Sequence, residues 1–464
     1  MAGLADRIYG HLPLGLQNAA VSLYGWRWKR RRYGGVFAEE LRHFKEREAY
    51  SREQWHDYQT TELRRLLVHA FETVPYYRRV YSSAGFGIDE LRNFDLVDLR
   101  RLPVLSKNDL RQYGRSDLLS SMPEAHGEFF ASSGSTGTPT SILFSEAFHQ
   151  RWSAAFEARI RHWAGLDRSM ARGMIGGRRV VRSATAPPPY YRHNVFEKQT
   201  YFSAYHIAPD SAQDYLEGIR RHGVEYMTGY AMSNFLLARM FDDLSLQAPE
   251  LRAVVVSSEK LTAHMREVFA RVYNCATYDS YSGVEACGLI SENASGELMS
   301  SPDVAVLEVL DSEGNEVGPG EEGELVCTGL LNFDQPLIRY RIGDTVTLAA
   351  SQESELGLEM PIISEIGGRI EDVIVGPDGR EMVRFHGVFI DLPGLVAAQV
   401  VQEERDSIRV NIIAEPEFGA PEEKLIAERL RSQLGNINVS IDKVTELSRN
   451  ASGKIPAVIS RLEA

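Results

Sequence analysis

Cysteine is scarce in this chain: 464 residues hold only Cys275, Cys287 and Cys327. An odd number without any Cys-x-x-Cys spacing supports neither a disulfide framework nor a structural zinc site. Long apolar runs are missing too, and no stretch approaches the roughly eighteen residues that a membrane-spanning helix needs. Nor is there a surplus of positive charge. The formal net charge is -13, which argues against a nucleic-acid partner, because phosphates demand a basic surface. The opening residues carry Asp6 and Arg7 where a secretory signal would carry its apolar core, so a cytosolic location is expected.

What is present is ordinary globular composition, 43% hydrophobic and 25% charged, on a chain longer than one core usually supports. Two or more domains are therefore expected. Near the start, Trp26-Arg27-Trp28-Lys29-Arg30-Arg31-Arg32 follows the apolar Leu14, Leu16, Val21 and Leu23. A basic, aromatic-bearing helix of this kind either lies on an anionic membrane surface as a peripheral contact or forms a solvated face. Residues 36 to 83 read as helices, with Leu63, Leu66, Leu67 and Ala70 at helical spacing.

From residue 145 onward, helices alternate with short β-rich runs. The expected strands are Val180-Val181, Tyr201 to Ile207, Glu225 to Gly229 and Val254 to Val256, and the expected helices 145–163, 211–222 and 233–241. Such alternation indicates an α/β fold with a largely parallel sheet, which binds ligands at the carboxyl ends of its strands. Beyond Pro302 the texture turns to β, with Val304 to Leu310 and Glu324 to Thr328 flanking Asp311-Ser312-Glu313-Gly314-Asn315, and a small β subdomain is expected. The last hundred residues look like a separate α+β unit, with strands around the Pro377-Asp378-Gly379 turn and at Ile408 to Ile413, and a helix over 421–434. Gly367-Gly368-Arg369 precedes them, and adjacent glycines suit a hinge.

Four stretches carry chemistry. Ser132-Ser133-Gly134-Ser135-Thr136-Gly137-Thr138-Pro139 offers backbone N–H groups and hydroxyls to an anion such as a nucleoside triphosphate. No Lys-Ser or Lys-Thr follows it, so it is not a Walker-type loop, and a flexible linker is the plain alternative. Asp279-Ser280-Tyr281-Ser282-Gly283-Val284-Glu285 places an aromatic ring after a strand and a carboxylate four residues on, suited to a nucleobase and a magnesium ion, or to nothing beyond a strand end. Pro336-Leu337-Ile338-Arg339-Tyr340-Arg341-Ile342-Gly343-Asp344 ends on an acid that can accept from ribose hydroxyls or simply mark a turn. Asn450-Ala451-Ser452-Gly453-Lys454 holds a lysine that can enter a site as a point charge or remain solvated.

In combination and in this order, these stretches resemble the adenylate-forming superfamily, and most closely its phenylacetate-CoA ligase and capsule-biosynthesis branch. Thr228-Gly229-Tyr230, Ser258-Glu259 and Gly368-Arg369 extend the resemblance through nearly the whole chain. It implies a large N-terminal domain over 1–368, with layered α/β sheets and the small β subdomain, and a mobile α+β lid over 369–464. It also implies roles. Ser132, Ser133, Gly134, Ser135, Thr136, Gly137 and Thr138 would hold the ATP phosphates. Ser258 and Glu259, after Ser257, would line the adenine pocket, with Tyr281 stacked on the base and Ser282 beside it. Glu285 would bind magnesium, and Asp344 would grip the ribose, helped by Arg369. Glu371 would be the hinge, and Lys454 would sit between the α-phosphate and the attacking carboxylate.

The implied activity is ATP-dependent formation of an acyl-adenylate from a small carboxylic acid, with transfer to CoA or another acceptor. An amine acceptor, adenylylation of a hydroxyl group, and a non-catalytic scaffold in polysaccharide synthesis are the alternatives. The acid pocket is assigned to Tyr205, His206, Tyr230 and Gly283, with Arg178-Arg179 either clamping an anionic substrate or solvated. Departures from the pattern are Val284 in place of Ser or Thr, Ser282 in place of Gly, and Glu371 in place of Asp or Lys. Relatives with a Cys/His zinc site carry it after the magnesium glutamate; Ser291 to Ser301 has neither residue, so no zinc is expected.

Overall fold

The structure, a computed structural model, describes residues 9–462 except 132–139, 179, 182–185, 205, 259–260, 262, 368–373, 383–384, 390–391, 446 and 449–457. Its centre is one sheet of twelve strands. A hairpin of β1 (Glu128–Ala131) and β2 (Ser141–Phe144) precedes it. The first strands of the large sheet are β3 (Arg172–Gly176), β4 (Tyr191–Asn194), β5 (Gln199–Ser203), β6 (Tyr226–Tyr230), β7 (Ala253–Ser257) and β8 (Ala276–Tyr281). After them come β9 (Ile290–Glu292), β10 (Leu298–Ser300), β11 (Ala305–Leu310), β12 (Glu322–Gly329), β13 (Tyr340–Leu348) and β14 (Ile362–Gly367).

The spatial order is β11-β12-β13-β14-β10-β9-β8-β7-β6-β3-β5-β4. From β8 to β5 every pairing is parallel, so their carboxyl ends share one edge. From β8 to β11 every pairing is antiparallel. The strands expected as a small β subdomain are this antiparallel half, continuous with the parallel one.

Burial on both faces explains the parallel half. Ala253, Val254, Val255 and Val256 are all buried, as befits a strand sandwiched between helices. Val254, Val256 and Ile175 join one core, while Val255 and Tyr226 join another on the opposite face. That second core takes in the N-terminal helices, and Leu63, Leu66, Leu67 and Ala70 of the helix Arg52–Thr73 are fully buried within it. Ser51 starts that helix with a reciprocal capping box to Gln54. A third core links residues from Ile374 to Val458 around β17 (Leu395–Glu404), β18 (Ser407–Ala414) and the helix Ala420–Leu434. Between β14 and β17 the short β15 (Ile374–Val375) and β16 (Glu381–Met382) flank the expected turn.

Two local readings differ. The expected strand at Val180-Val181 is β3, eight residues earlier at its start, and the valines pack beyond it against Tyr201. The run from Tyr201 ends at Ser203 because Ser203 and Ser211 draw the chain into a turn at His206. The basic N-terminal stretch forms the helix Leu14–Tyr33, and much of its charge is used within the fold. Arg27 pairs with Glu128 at 2.6 Å, Arg31 donates to the Phe144 carbonyl at 2.6 Å, and Arg32 pairs with Glu197. Leu16, Leu23 and Trp26 stay exposed. No described helix is long and apolar enough to cross a membrane.

Candidate functional site

The shared carboxyl edge of the parallel strands carries Gly177, Tyr230, Ser258 and Ser282 just beyond or at the ends of β3, β6, β7 and β8. One residue at this edge has a strained backbone. Ser258 has φ +72°, a left-handed conformation that costs a non-glycine residue on the order of 1 kcal/mol or more. Gly229, at φ +120°, lies so close to β3 that a Cβ would come 1.9 Å from the Ile175 carbonyl oxygen. Only glycine fits there.

Two acid-centred arrangements stand beside this edge. Tyr281 donates its hydroxyl to Asp344 Oδ2 at 2.7 Å, joining the end of β8 to β13. Burial, followed by the Asp344 carboxylate, holds the Tyr281 phenol well above its ordinary value, so it remains a donor. Glu285, buried in the loop after β8, accepts at Oε1 from Thr140 Oγ1 and from the Tyr340 hydroxyl, both at 3.3 Å. Burial and the Glu285 charge likewise raise the Tyr340 phenol. The other carboxylate oxygen, Oε2, faces Gly283, where a Cβ would come within 2.6 Å of it. Val284 is exposed between them.

Thr140 and Tyr340 received no role from the sequence. Tyr340 opens β13, the strand that carries Asp344 four residues on, and a bulge in the pairing with β12 lies between them. A further carboxylate sits two residues before Tyr281: Asp279 is pushed up to about 7 by burial and then by Glu292. Glu292 Oε2 accepts from the Asp279 backbone N–H at 2.6 Å and from Arg266 at 2.8 Å.

The remaining expected residues divide. His206 is held by Ser203, Oγ to Nδ1 at 2.7 Å, and stacks on Tyr190 at 4.6 Å. Tyr230 precedes the helix Ala231–Asp243, and its hydroxyl fills the space beside Gly177. Ser132 to Thr138, Tyr205, Glu259, Arg369, Glu371 and Lys454 lie outside the described residues.

Beneath the edge is a cavity of about 300 Å³, and His206, Tyr230 and Gly283 are not among its lining residues. Its floor is one face of the sheet, including Met174, Tyr201, Thr228 and Val255, and its roof the helix that begins at Glu146. That helix changes to a π turn over Glu157–Arg161, closed by the His162 N–H to the Glu157 carbonyl at 3.0 Å. Such wider turns recur at functional sites, and this one sets Arg161 in the cavity wall.

Residues 375–461 match the family model of the CapK C-terminal domain. Protein CapK of Staphylococcus aureus is 24% identical over an alignment of 489 positions, covering 99% of this chain and 100% of that protein. A phenylacetate-coenzyme A ligase of Thermus thermophilus is 27% identical over 354 positions, covering 71% of this chain and 74% of its own length. Among solved structures, 2-hydroxyisobutyryl-CoA ligase in complex with 2-HIB-AMP and CoA superposes with a TM-score of 0.59 at 18% identity, covering 89% of this chain and 92% of that one. This last likeness is one of fold, and the fold is that of the adenylate-forming CoA ligases.

Proposed function

The chain belongs to the adenylate-forming superfamily, in the branch of CapK and the phenylacetate-CoA ligases, and from that premise we propose that it is an ATP-dependent, AMP-forming ligase. It activates a carboxylic acid as an acyl-adenylate, releases pyrophosphate and passes the acyl group to an acceptor. The observation that carries this reading is Glu285: a buried carboxylate steadied at one oxygen by two hydroxyls, with the other oxygen over a glycine.

That geometry fits a magnesium ion. The Gly283 cradle leaves room at Oε2 that any side chain would fill. Among the described residues no three His, Cys, Asp or Glu side chains converge on a metal, so Glu285 would hold the ion in a site of one or two protein carboxylates completed by substrate phosphates. When bound, the ion screens phosphate charge and stabilises the negative charge that develops at the α-phosphate. Thr140 and Tyr340 hold the carboxylate in place without neutralising it.

Tyr281, tethered to Asp344, presents its ring to the adenine, and Asp344 accepts from the ribose with the help of Arg369. Ser132 to Thr138 bind the phosphates, and Ser258, Glu259 and Ser282 line the base pocket. Lys454 brings a cation to the meeting point of two anions, the acid and the α-phosphate, where a preorganised charge has most effect. We further propose that residues 1–368 and 369–464 are separate domains that swivel at Glu371, withdrawing Lys454 once the adenylate has formed. The self-contained core from Ile374 to Val458 supports that division.

Pyrophosphate release from ATP and magnesium, measured over a panel of acids with and without CoA or amines, tests the reading and identifies the acceptor. Consumption of CoA marks an acid–thiol ligase, and loss of amine an acid–amine ligase. AMP joined to a hydroxyl compound marks an adenylyltransferase. Nucleotide binding with no pyrophosphate exchange for any acid would overturn the reading in favour of a sensor or scaffold.

A further inference from the structure

The cavity beneath the strand edge has an unusual wall for a chamber that takes an organic acid. Four guanidinium groups, those of Arg32, Arg161, Arg172 and Arg178, border it. Among the described residues two carboxylates answer them. Glu157 pairs with Arg161 at 2.5 Å, and Glu197 is shared between Arg32 and Arg172. Among the described residues the wall therefore carries two more positive charges than negative ones, on a chain whose net charge is -13.

Neighbouring groups register the surplus. Burial alone would raise the Tyr33 phenol, yet Arg161, Arg32 and Arg172 outweigh it and hold the phenol below its ordinary value. His149 is pushed down to about 3 by burial and then by Arg32 and Arg31, so it is neutral and adds no charge of its own.

Arg178 differs from the other three. Among the described residues it has no carboxylate partner, and its one hydrogen bond runs to the Tyr201 hydroxyl at 3.4 Å. Its guanidinium lies over the rings of Tyr24 at 5.1 Å and Tyr201 at 5.2 Å. Two aromatic faces hold the planar fork in place while leaving its edge to bind an oxyanion. It follows β3 at the carboxyl edge, on the mouth of the cavity.

We propose that this chamber is the acid-binding site and that it selects an acid carrying a second anionic group, which Arg178 receives while the first carboxylate is activated. The inference rests on the ligase reading for its first half only: charge selectivity is a property of the cavity and can be measured without ATP. Arg178 is exposed at the mouth, so an apolar acid leaves its charge to water alone, whereas a doubly charged one gains a charge-assisted pair there, and that difference favours the second anion.

Two matched sets of probes separate charge from size: 4-carboxyphenylacetate against 4-carbamoylphenylacetate and phenylacetate, and glutarate against glutaramate. Calorimetric titration of the full chain should show the doubly charged member of at least one set binding ten-fold or more tighter than its neutral isostere. Arg178→Gln should remove most of that margin while leaving the isostere's affinity within about threefold, and Arg178→Lys should restore part of it. A purely structural arginine would weaken both probes alike, and that result would overturn the proposal. So would isosteres that bind as well as the diacids, a margin that survives R178Q, or no binding by any probe.

Pyrophosphate release with the same probes keeps the two readings apart. A diacid margin in binding with no pyrophosphate from any acid refutes the ligase and leaves the charge selectivity standing. Adenylation of phenylacetate in preference to its carboxylated analogue does the reverse.

Discussion

Replacing Glu285 with glutamine isolates the charge of the one buried acid that the ligase reading needs. The amide oxygen of Glu285→Gln can still accept from Thr140 and Tyr340, both now at 3.3 Å from Oε1, so the local packing is kept. What disappears is the negative charge beside Gly283. Among the described residues no cation pairs with Glu285, so two hydroxyl donors alone offset the desolvation cost of a carboxylate there. Gln removes this cost but leaves an amide N–H₂ short of acceptors, a penalty of about 1–3 kcal/mol. These effects oppose each other, and Tm should stay within about 3 °C of the parent, given that 1 kcal/mol moves a large domain by about 2–4 °C. Activity should not be spared. Losing one preorganised charge contact typically slows the reaction by about 10²–10³, and the residual rate should require more magnesium for saturation. Pyrophosphate release as a function of magnesium, paired with a thermal melt, reads both quantities. A rate within about threefold of the parent, on the scale of that expected loss, would remove Glu285 from the mechanism.

Four further outcomes are expected. Asp279→Asn should stabilise the protein at pH 8 and do little near pH 4: the folded carboxyl is raised to about 7, so its favourable protonation is complete below the unfolded value and is lost as pH rises through 7. Equal effects at both pH values in urea titrations would refute this. Arg339→Ala should cost about 3–5 kcal/mol in a denaturation midpoint, because Glu308, bonded to it at 2.8 and 2.9 Å, would be left buried and unpaired. Removing Glu308 as well should recover part of the loss. Gly229→Ala should cost about 3 kcal/mol or more, since the Cβ would strike the Ile175 carbonyl and the backbone is left-handed; a loss under about 1 kcal/mol would mean that β3 and β6 separate easily. Lys454→Ala should slow adenylation by about 10²–10³ yet spare the transfer step from preformed acyl-AMP, and an unchanged adenylation rate would remove the lysine from that step.

Regular elements were legible wherever local pattern and burial agree. The valines of β7 and the leucine ladder of Arg52–Thr73 satisfy a local period and a global core at once. The π turn at Glu157–Arg161 has no such signature, because one extra backbone residue per turn leaves the composition of a helix unchanged. Arg339 illustrates a different limit. It sits inside the stretch whose final acid suits a ribose, but its side chain points to Glu308 and to the Arg100 and Leu102 carbonyls, and it serves the fold. In the same way the basic run at Trp26–Arg32 looks like a surface signal, and only the positions of Glu128, Glu197 and Phe144, more than a hundred residues away, turn it into a docking seam. Charge pattern marks which residues need partners but not where the partners lie.

The contact between Tyr281 and Asp344 was beyond any reading of spacing, and the sheet explains why. Each acid-bearing stretch is a separate segment of sequence, and β8 and β13 are four strand positions apart in the sheet order. At a strand separation of about 4.8 Å a flat sheet would hold them about 19 Å apart, farther than a tyrosine and an aspartate can span together. Their 2.7 Å hydrogen bond, and the 3.3 Å bond from Tyr340 to Glu285, therefore require the antiparallel half to coil back toward the end of β8. Strand twist accumulates in this way across a wide sheet. The change from parallel to antiparallel pairing at β8 and β9 puts the Glu285 loop between the last parallel strand and the first antiparallel one, next to the carboxyl edge where Ser258 is strained. The candidate nucleotide site is thus a consequence of sheet curvature: it exists where the coiled half brings Tyr340 and Asp344 over the last parallel strand, and no single motif contains it.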